Sequence, residues 1–212
     1  VNRDWPSMKG VILKAMLAGC LVAVSSTPIV MAAQPIGTSM VVGNITSQPI
    51  GHYEFCKRNR EECRGSGTRT APPRVTEFGW TVVHDVNESV NYAVLPMTDY
   101  EIHGREEVWS YPDVVGDCED YVLLKRAMLM ERGFSESDLL ITVVRKPNGE
   151  GHAVLTLRTA DGDFVLDNLE DEVKVWTETP YTYLKRQASF HAGRWVDIEN
   201  GDELMVGSIP GE

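Results

Sequence analysis

The chain has 212 residues, 42% of them apolar, and a formal net charge of -11. That is enough sequence for one domain with its own core, and one compact domain is the expectation. The charge argues against general nucleic-acid binding, because a phosphate backbone repels such a surface and no basic run offsets it.

Near the start, Met8, Lys9 and Lys14 precede an apolar stretch from Ala15 to Val24, and Ser25, Ser26, Thr27 and Pro28 lead to small residues at Ala32 and Ala33. A charged beginning, a short apolar segment and a small-residue exit are the parts of a secretory signal peptide, here residues 1–32, with residues 1–7 read as lying ahead of the true start at Met8. The segment is too short for a transmembrane anchor, which needs about 20 apolar residues. Leu17, Ala18, Gly19 and Cys20 also fit the acylation site of a bacterial lipoprotein. Lys14, however, leaves little apolar run ahead of Cys20, and Leu21 to Val24 continue the segment beyond it. Removing residues 1–32 takes away three cations and one anion, so the net charge moves from -11 to -13. The expected location is the periplasm or the exterior.

Export makes the other cysteines legible. Cys56 and Cys63 lie in a polar stretch and can close a small loop in an oxidising compartment, so a structural disulfide is expected. A metal site there would need more ligands than His52, the one histidine nearby. Residues 33–72, rich in Gly, Pro, Ser and Thr, read as a loosely structured arm pinned by that loop, ahead of a domain over residues 73–212. Within this mature part, Cys118 is the single unpaired cysteine.

Between Arg74 and Tyr92, the residues Trp80, Val83, Val86, Asn87 and Val90 recur at helical spacing. Leu95 to Pro112 reads as a loop or short-helix region carrying Tyr100, Trp109 and Tyr111. A largely buried helix follows from Tyr121 to Arg132, with Asp117 as N-cap, Asp120 in the first turn and Gly133 just past the end. After it the pattern changes to strands over Leu139 to Arg145, Ala153 to Arg158 and Phe164 to Leu166, then weaker runs at Val173 to Trp176, Tyr181 to Lys185 and Arg194 to Ile198. Helices first and strands later indicate an α+β fold with an antiparallel sheet.

Cys118 sits in the run Gly116, Asp117, Cys118, Glu119, Asp120, at the start of the buried helix. Free N–H groups and the peptide dipoles at a helix N-terminus favour a thiolate and leave donors for an oxyanion, whereas three adjacent carboxylates oppose it. A cysteine nucleophile also needs a base and a group that orients the base. His152 and Asp167 are the candidates, flanking a predicted hairpin in which His152, Val154 and Thr156 share one face. A four-residue loop, Arg158 to Asp161, would set His152 opposite Asp167. A two-residue turn at Asp161 and Gly162 would set Asp167 opposite Thr156 and His152 opposite Asp171, which makes Asp171 the reserve acid. The remaining histidines, His52, His84, His103 and His191, have no such partner pattern and read as structural or surface residues.

Trp109, Pro112, the run Gly116 to Asp120, the stretch Gly151 to Leu155 and the stretch Val165 to Asn168 together resemble the bacterial transglutaminase-like cysteine peptidases, a family that includes the periplasmic LapG-type proteases. Phe55, Cys56 and Cys63, and later Tyr183 to Gln187, extend the resemblance over most of the mature chain. The resemblance implies a papain- or transglutaminase-like core, with the nucleophile on a central helix packed on an antiparallel sheet. It implies Cys118 as nucleophile, His152 as general base and then acid, and Asp167 as the orienting group. The backbone N–H of Cys118 would be one oxyanion donor, and the indole of Trp109 is a candidate second. It also implies calcium dependence, with Asp117, Glu119 and Asp120 as the ligands; hard oxygen donors suit that ion, and its charge would remove the conflict with the thiolate. Capping by Asp117 and Asp120, with Glu119 favoured by the dipole, is the plainer reading of the same acids. The implied activity is hydrolysis of a peptide bond in an exported protein through a thioester, the substrate being a large surface adhesin and the partner an inner-membrane signalling receptor. Acyl transfer to an amine and a non-catalytic calcium-dependent binding module are the alternatives.

Overall fold

The computed structural model describes residues 38–65 and 71–201. The expected signal peptide and the lipoprotein alternative at Cys20 lie outside the described residues, among which no helix is long and apolar enough to cross a membrane. In chain order the elements are β1 (Val42–Thr46), α1 (Ile50–Arg58), α2 (Glu77–Ala93), β2 (Leu95–Pro96), α3 (Asp99–His103), β3 (Val115–Gly116), α4 (Cys118–Glu131), β4 (Leu139–Arg145), β5 (Gly151–Thr159), β6 (Gly162–Leu166), β7 (Lys174–Val175), β8 (Thr182–Ala188) and β9 (His191–Ile198). Seven strands form one sheet in the order β1-β9-β8-β4-β5-β6-β7, with every pairing antiparallel. The expected α+β class with a central helix is what forms.

The sheet buries both faces, and strand alternation sorts its residues between them. Ala153, Leu155, Leu157, Ile141 and Leu166 pack against Val83, Val86 and Val90 of α2 and Val122, Leu123 and Leu129 of α4. Val154, Val144 and Val165 turn the other way, onto Trp176, Tyr181, Tyr183 and Met40. Burying each such aliphatic side chain contributes roughly 1.5–3 kcal/mol before entropy is counted. Helix α2 begins at Thr76, whose hydroxyl accepts from the Gly79 N–H at 3.0 Å. Helix α4 ends in a Schellman arrangement, with Gly133 at φ +91° and bonds from Gly133 N to Met130 O (3.0 Å) and from Phe134 N to Leu129 O (3.1 Å).

Two expectations are corrected. The segment from Gln34 to Thr70 is not a loose arm throughout: β1 pairs with β9 at the edge of the main sheet, and α1 buries Gly51, His52 and Phe55. The Cys56–Cys63 disulfide does form, joining α1 to the 3₁₀ turn Arg60–Cys63.

The second correction concerns the hairpin register. Leu155 lies opposite Leu166 and Thr159 opposite Gly162, so the turn is Ala160 and Asp161. Extended by one step, this register sets Asp167 opposite Val154, between the two pairings considered. All three differ by even shifts, which is why the faces came out correctly while the partners did not. Gly162, at φ +138°, fixes the choice: a Cβ there would lie 2.6 Å from the Thr38 carbonyl oxygen, which accepts from Asp163 N at 2.8 Å.

Candidate functional site

Strand β6 stops at Leu166, so the start of β5 has no neighbour on that side. Helix α4 packs on β5 with its N-terminus toward this gap, and the backbone N–H of Ala153 lies against the Cys118 sulfur. Sheet and helix therefore bring residue 118 against residue 153, the chain neighbour of His152.

His152 is buried, and its Nε2 bonds to Asp167 Oδ1 at 2.8 Å. That leaves Nδ1 as the ring nitrogen not committed to the acid. Both oxygens of Asp167 are occupied: Tyr181 donates its hydroxyl to Oδ2 at 2.5 Å, and Leu169 N donates to Oδ1 at 3.0 Å. Burial alone would raise the pKa of this carboxyl, but the bonds from His152 and Tyr181 outweigh it and hold the group below its usual value. The Tyr181 ring also flanks the imidazole, with centroids 5.6 Å apart. Asp171, the reserve acid, instead accepts from Asn91 Nδ2 at 2.9 Å.

The surroundings of Cys118 differ in character. Cys118 Sγ donates to Glu119 Oε2 at 2.9 Å. Burial first, then the Glu119 charge and hydrogen bond, push the thiol well above its ordinary pKa, and the Ala153 N–H only partly opposes this. Burial and the nearby Asp117 raise Glu119 to about 8. Asp117 occupies the expected N-cap position of α4 in extended backbone, yet its side chain makes no capping bond. Its carboxylate turns instead toward Asp99 and Asp120, and one oxygen from each of the three lies within 4.8 Å of the others.

Asp99 starts α3 and is 2% exposed. Its Oδ2 accepts from Val108 N at 2.5 Å, whereas its Oδ1 and the Oδ1 of Asp117 are buried without a hydrogen-bond partner. Asp120 Oδ1 accepts from Ser110 N at 2.8 Å, and burial raises this carboxyl to about 7. Gly116 makes the cluster possible: a Cβ there would lie 2.8 Å from Asp120 Cβ and 2.9 Å from its Oδ2. Of the three acids expected to act together, Asp117 and Asp120 converge, and Glu119 bonds to the thiol while also facing Asp117. Asp99 joins them from 18 positions upstream, where nothing in the local sequence marks it.

Trp109 is buried in an aromatic group with His52 and Trp195, and its Nε1 abuts Gly51 of α1. The indole Nε1 is buried and has no hydrogen-bond partner, so it remains an uncommitted donor. His52 is structural, as expected: it accepts from Trp195 Nε1 at 3.1 Å, and burial holds its pKa down to about 3.

Residues 42–203 match the model of the family described as bacterial transglutaminase-like cysteine proteinase (BTLCP). Solved structures similar to the chain are of LapG from Legionella pneumophila. The calcium-bound form is 24% identical over 61% of this chain and 80% of that one, at a TM-score of 0.47. A second LapG structure is 27% identical over 60% and 73%, at 0.47. The EGTA-treated form is 24% identical over 63% and 71%, at 0.48. No curated protein matches the chain.

Proposed function

The chain belongs to the bacterial transglutaminase-like cysteine proteinases, cysteine peptidases that act on protein substrates, and from that premise we propose that Cys118, His152 and Asp167 are its catalytic triad. The observation that carries this reading is the fully bonded Asp167, which takes up Nε2 of His152 and commits that ring to presenting Nδ1. In the reaction, Nδ1 accepts the Cys118 proton, and the thiolate attacks the carbonyl carbon of the scissile bond. The N–H of Cys118, in the first turn of α4, faces the oxyanion. The imidazolium then gives its proton to the departing amine, leaving a thioester. Water, deprotonated by the same imidazole, hydrolyses it and restores the thiol.

The residues also fit a calcium ion. Two buried carboxylate oxygens without partners, on Asp99 and Asp117, converge with Asp120, and all the donors are hard oxygens. Asp99, Asp117 and Asp120 would hold the ion, with Glu119 adjacent to both Asp117 and the thiol. When bound, its charge offsets the carboxylates that oppose a thiolate at Cys118.

The disulfide supports an oxidising, exported location, periplasmic or secreted. Leu95, Met97 and Val114 are exposed along β2 and β3, the pair that runs into Cys118, and offer apolar cover to a bound polypeptide. We assign the substrate to exported surface proteins of the adhesin type, with an inner-membrane receptor as the sequestering partner. The test is to incubate the mature chain with adhesin fragments, with and without a chelator, and to repeat with Cys118→Ala. Cleavage that needs both calcium and the thiol is expected; cleavage that survives Cys118→Ala ends the mechanism.

A further inference from the structure

Lys125 lies on α4 about two turns beyond Cys118 and is fully buried, a costly place for an ammonium group. Burial lowers its pKa to about 7, against the pull of Asp167 and Asp171. Its Nζ donates to Asn87 Oδ1 at 2.7 Å and stands 5.9 Å from the centre of the Tyr121 ring. Asn87, itself buried on α2, donates through Nδ2 to the carbonyl oxygens of Glu170 (3.1 Å) and Asp171 (2.9 Å). One turn further along α2, Asn91 Nδ2 donates to the Asp167 carbonyl and to Asp171 Oδ1, each at 2.9 Å.

These bonds meet on the one stretch of backbone that must hold the acid still. Strand β6 ends at Leu166 and β7 begins at Lys174, so the turn over residues 167–171 has no ladder of its own. A carboxamide can sit either way round, and a lysine, which only donates, selects the way that puts oxygen toward itself and both N–H groups toward the carbonyls. The ammonium on the nucleophile helix thereby fixes an amide on α2, and that amide fixes the turn.

We propose that Lys125 is a positioning residue for the triad: it orients Asn87, and Asn87 with Asn91 clamps the 167–171 turn so that the Asp167 carboxylate stays on His152. This rests on the triad reading given above. It adds that α4 supplies the nucleophile at one end and, two turns later, the anchor for the acid.

The test uses Lys125→Met and Lys125→Gln in the full chain, with circular dichroism to confirm folding. Steady-state kinetics on a cleaved peptide and proton NMR of the hydrogen shared by His152 and Asp167 are the readouts. Since a displacement of about 1 Å can cost on the order of 100-fold, kcat should fall by roughly 10- to 100-fold. KM should stay within about twofold, because the lost interaction is not with the substrate. The shared proton should shift or broaden, with Lys125→Gln, which keeps a donor, closer to the parent than Lys125→Met. Folded variants with the parental kcat and an unmoved proton would overturn the proposal. If neither lysine variant folds, Asn91→Ala tests the same clamp from its more exposed end, and an unmoved proton there overturns it equally. Cleavage surviving Cys118→Ala would remove the triad reading, whereas the NMR signature, read without substrate, still decides whether Lys125 holds Asp167 on His152.

Discussion

The two halves of the site are finished to different degrees. Both carboxylate oxygens and the carbonyl of Asp167 are bonded, the imidazole is flanked by Tyr181, and the turn is tied back to α2. Around Cys118 two buried carboxylate oxygens have no partner, and the thiol is bonded to a neighbouring acid instead of being primed for loss of its proton. A protein leaves buried polar atoms unmatched where something else completes them. On the proposed reading, the chain alone completes the surroundings of His152 and Asp167, whereas those of Cys118 leave donors for a cation.

The largest expected effect tests the finished half. His152→Ala should lower peptide cleavage by on the order of 1,000-fold or more, with secondary structure intact; a mild loss would mean the pair is structural. Next, Asp99→Asn should weaken calcium binding, measured by calorimetry, by about 10- to 100-fold, because it removes the unpartnered charge and keeps an acceptor for Val108 N. An unchanged isotherm would place the ion elsewhere.

Protonation offers a third comparison, because the halves carry opposite signs. Glu119 and Asp120 are raised to about 8 and about 7, so with a chelator present the folded chain keeps protons that the unfolded chain has released. Their contribution to stability is full below about pH 4 and is lost as pH rises through about 7 to 8. Asp167 is lowered, so its contribution is present at neutral pH and is lost only as pH falls below the ordinary carboxylate range. Urea unfolding of chelated protein should therefore show stability falling steadily from pH 5 to pH 8, with the slope reduced in Asp120→Asn. A flat profile would sink the idea of a strained acidic cluster. The smallest effect is expected from Tyr181→Phe, which removes one of several bonds to Asp167: a rate loss corresponding to about 1 kcal/mol, with calcium affinity unchanged.

Much of this was legible in the sequence because it obeys short-range rules. The apolar runs gave the strands, with β4 spanning Leu139–Arg145 as read, and helical spacing gave α2 and α4. Strand parity was enough to put His152 and Asp167 on one face, since parity survives any even slip. What parity could not give was the turn at Ala160 and Asp161, which depends on a contact between Gly162 and Thr38, far apart in the chain. Asp99, Tyr181 and Lys125 escaped for a related reason. Each acts through a partner at least 14 positions away, and each sits in a stretch whose local pattern has a sufficient explanation of its own. Lys125 in particular interrupts an apolar helix, and only the fold shows it buried.

Gly116 carries no charge and no reactive atom, yet the space a methyl group would need at its Cα is already filled by Asp120. Any side chain there would have to displace that carboxylate, so Gly116→Ala should act as a ligand mutation by proxy, one that alters ion affinity while leaving every donor in the sequence. The run from 116 to 120 is in this sense a single mechanical part. Its first position sets the clearance that lets its last approach Asp99 and Asp117.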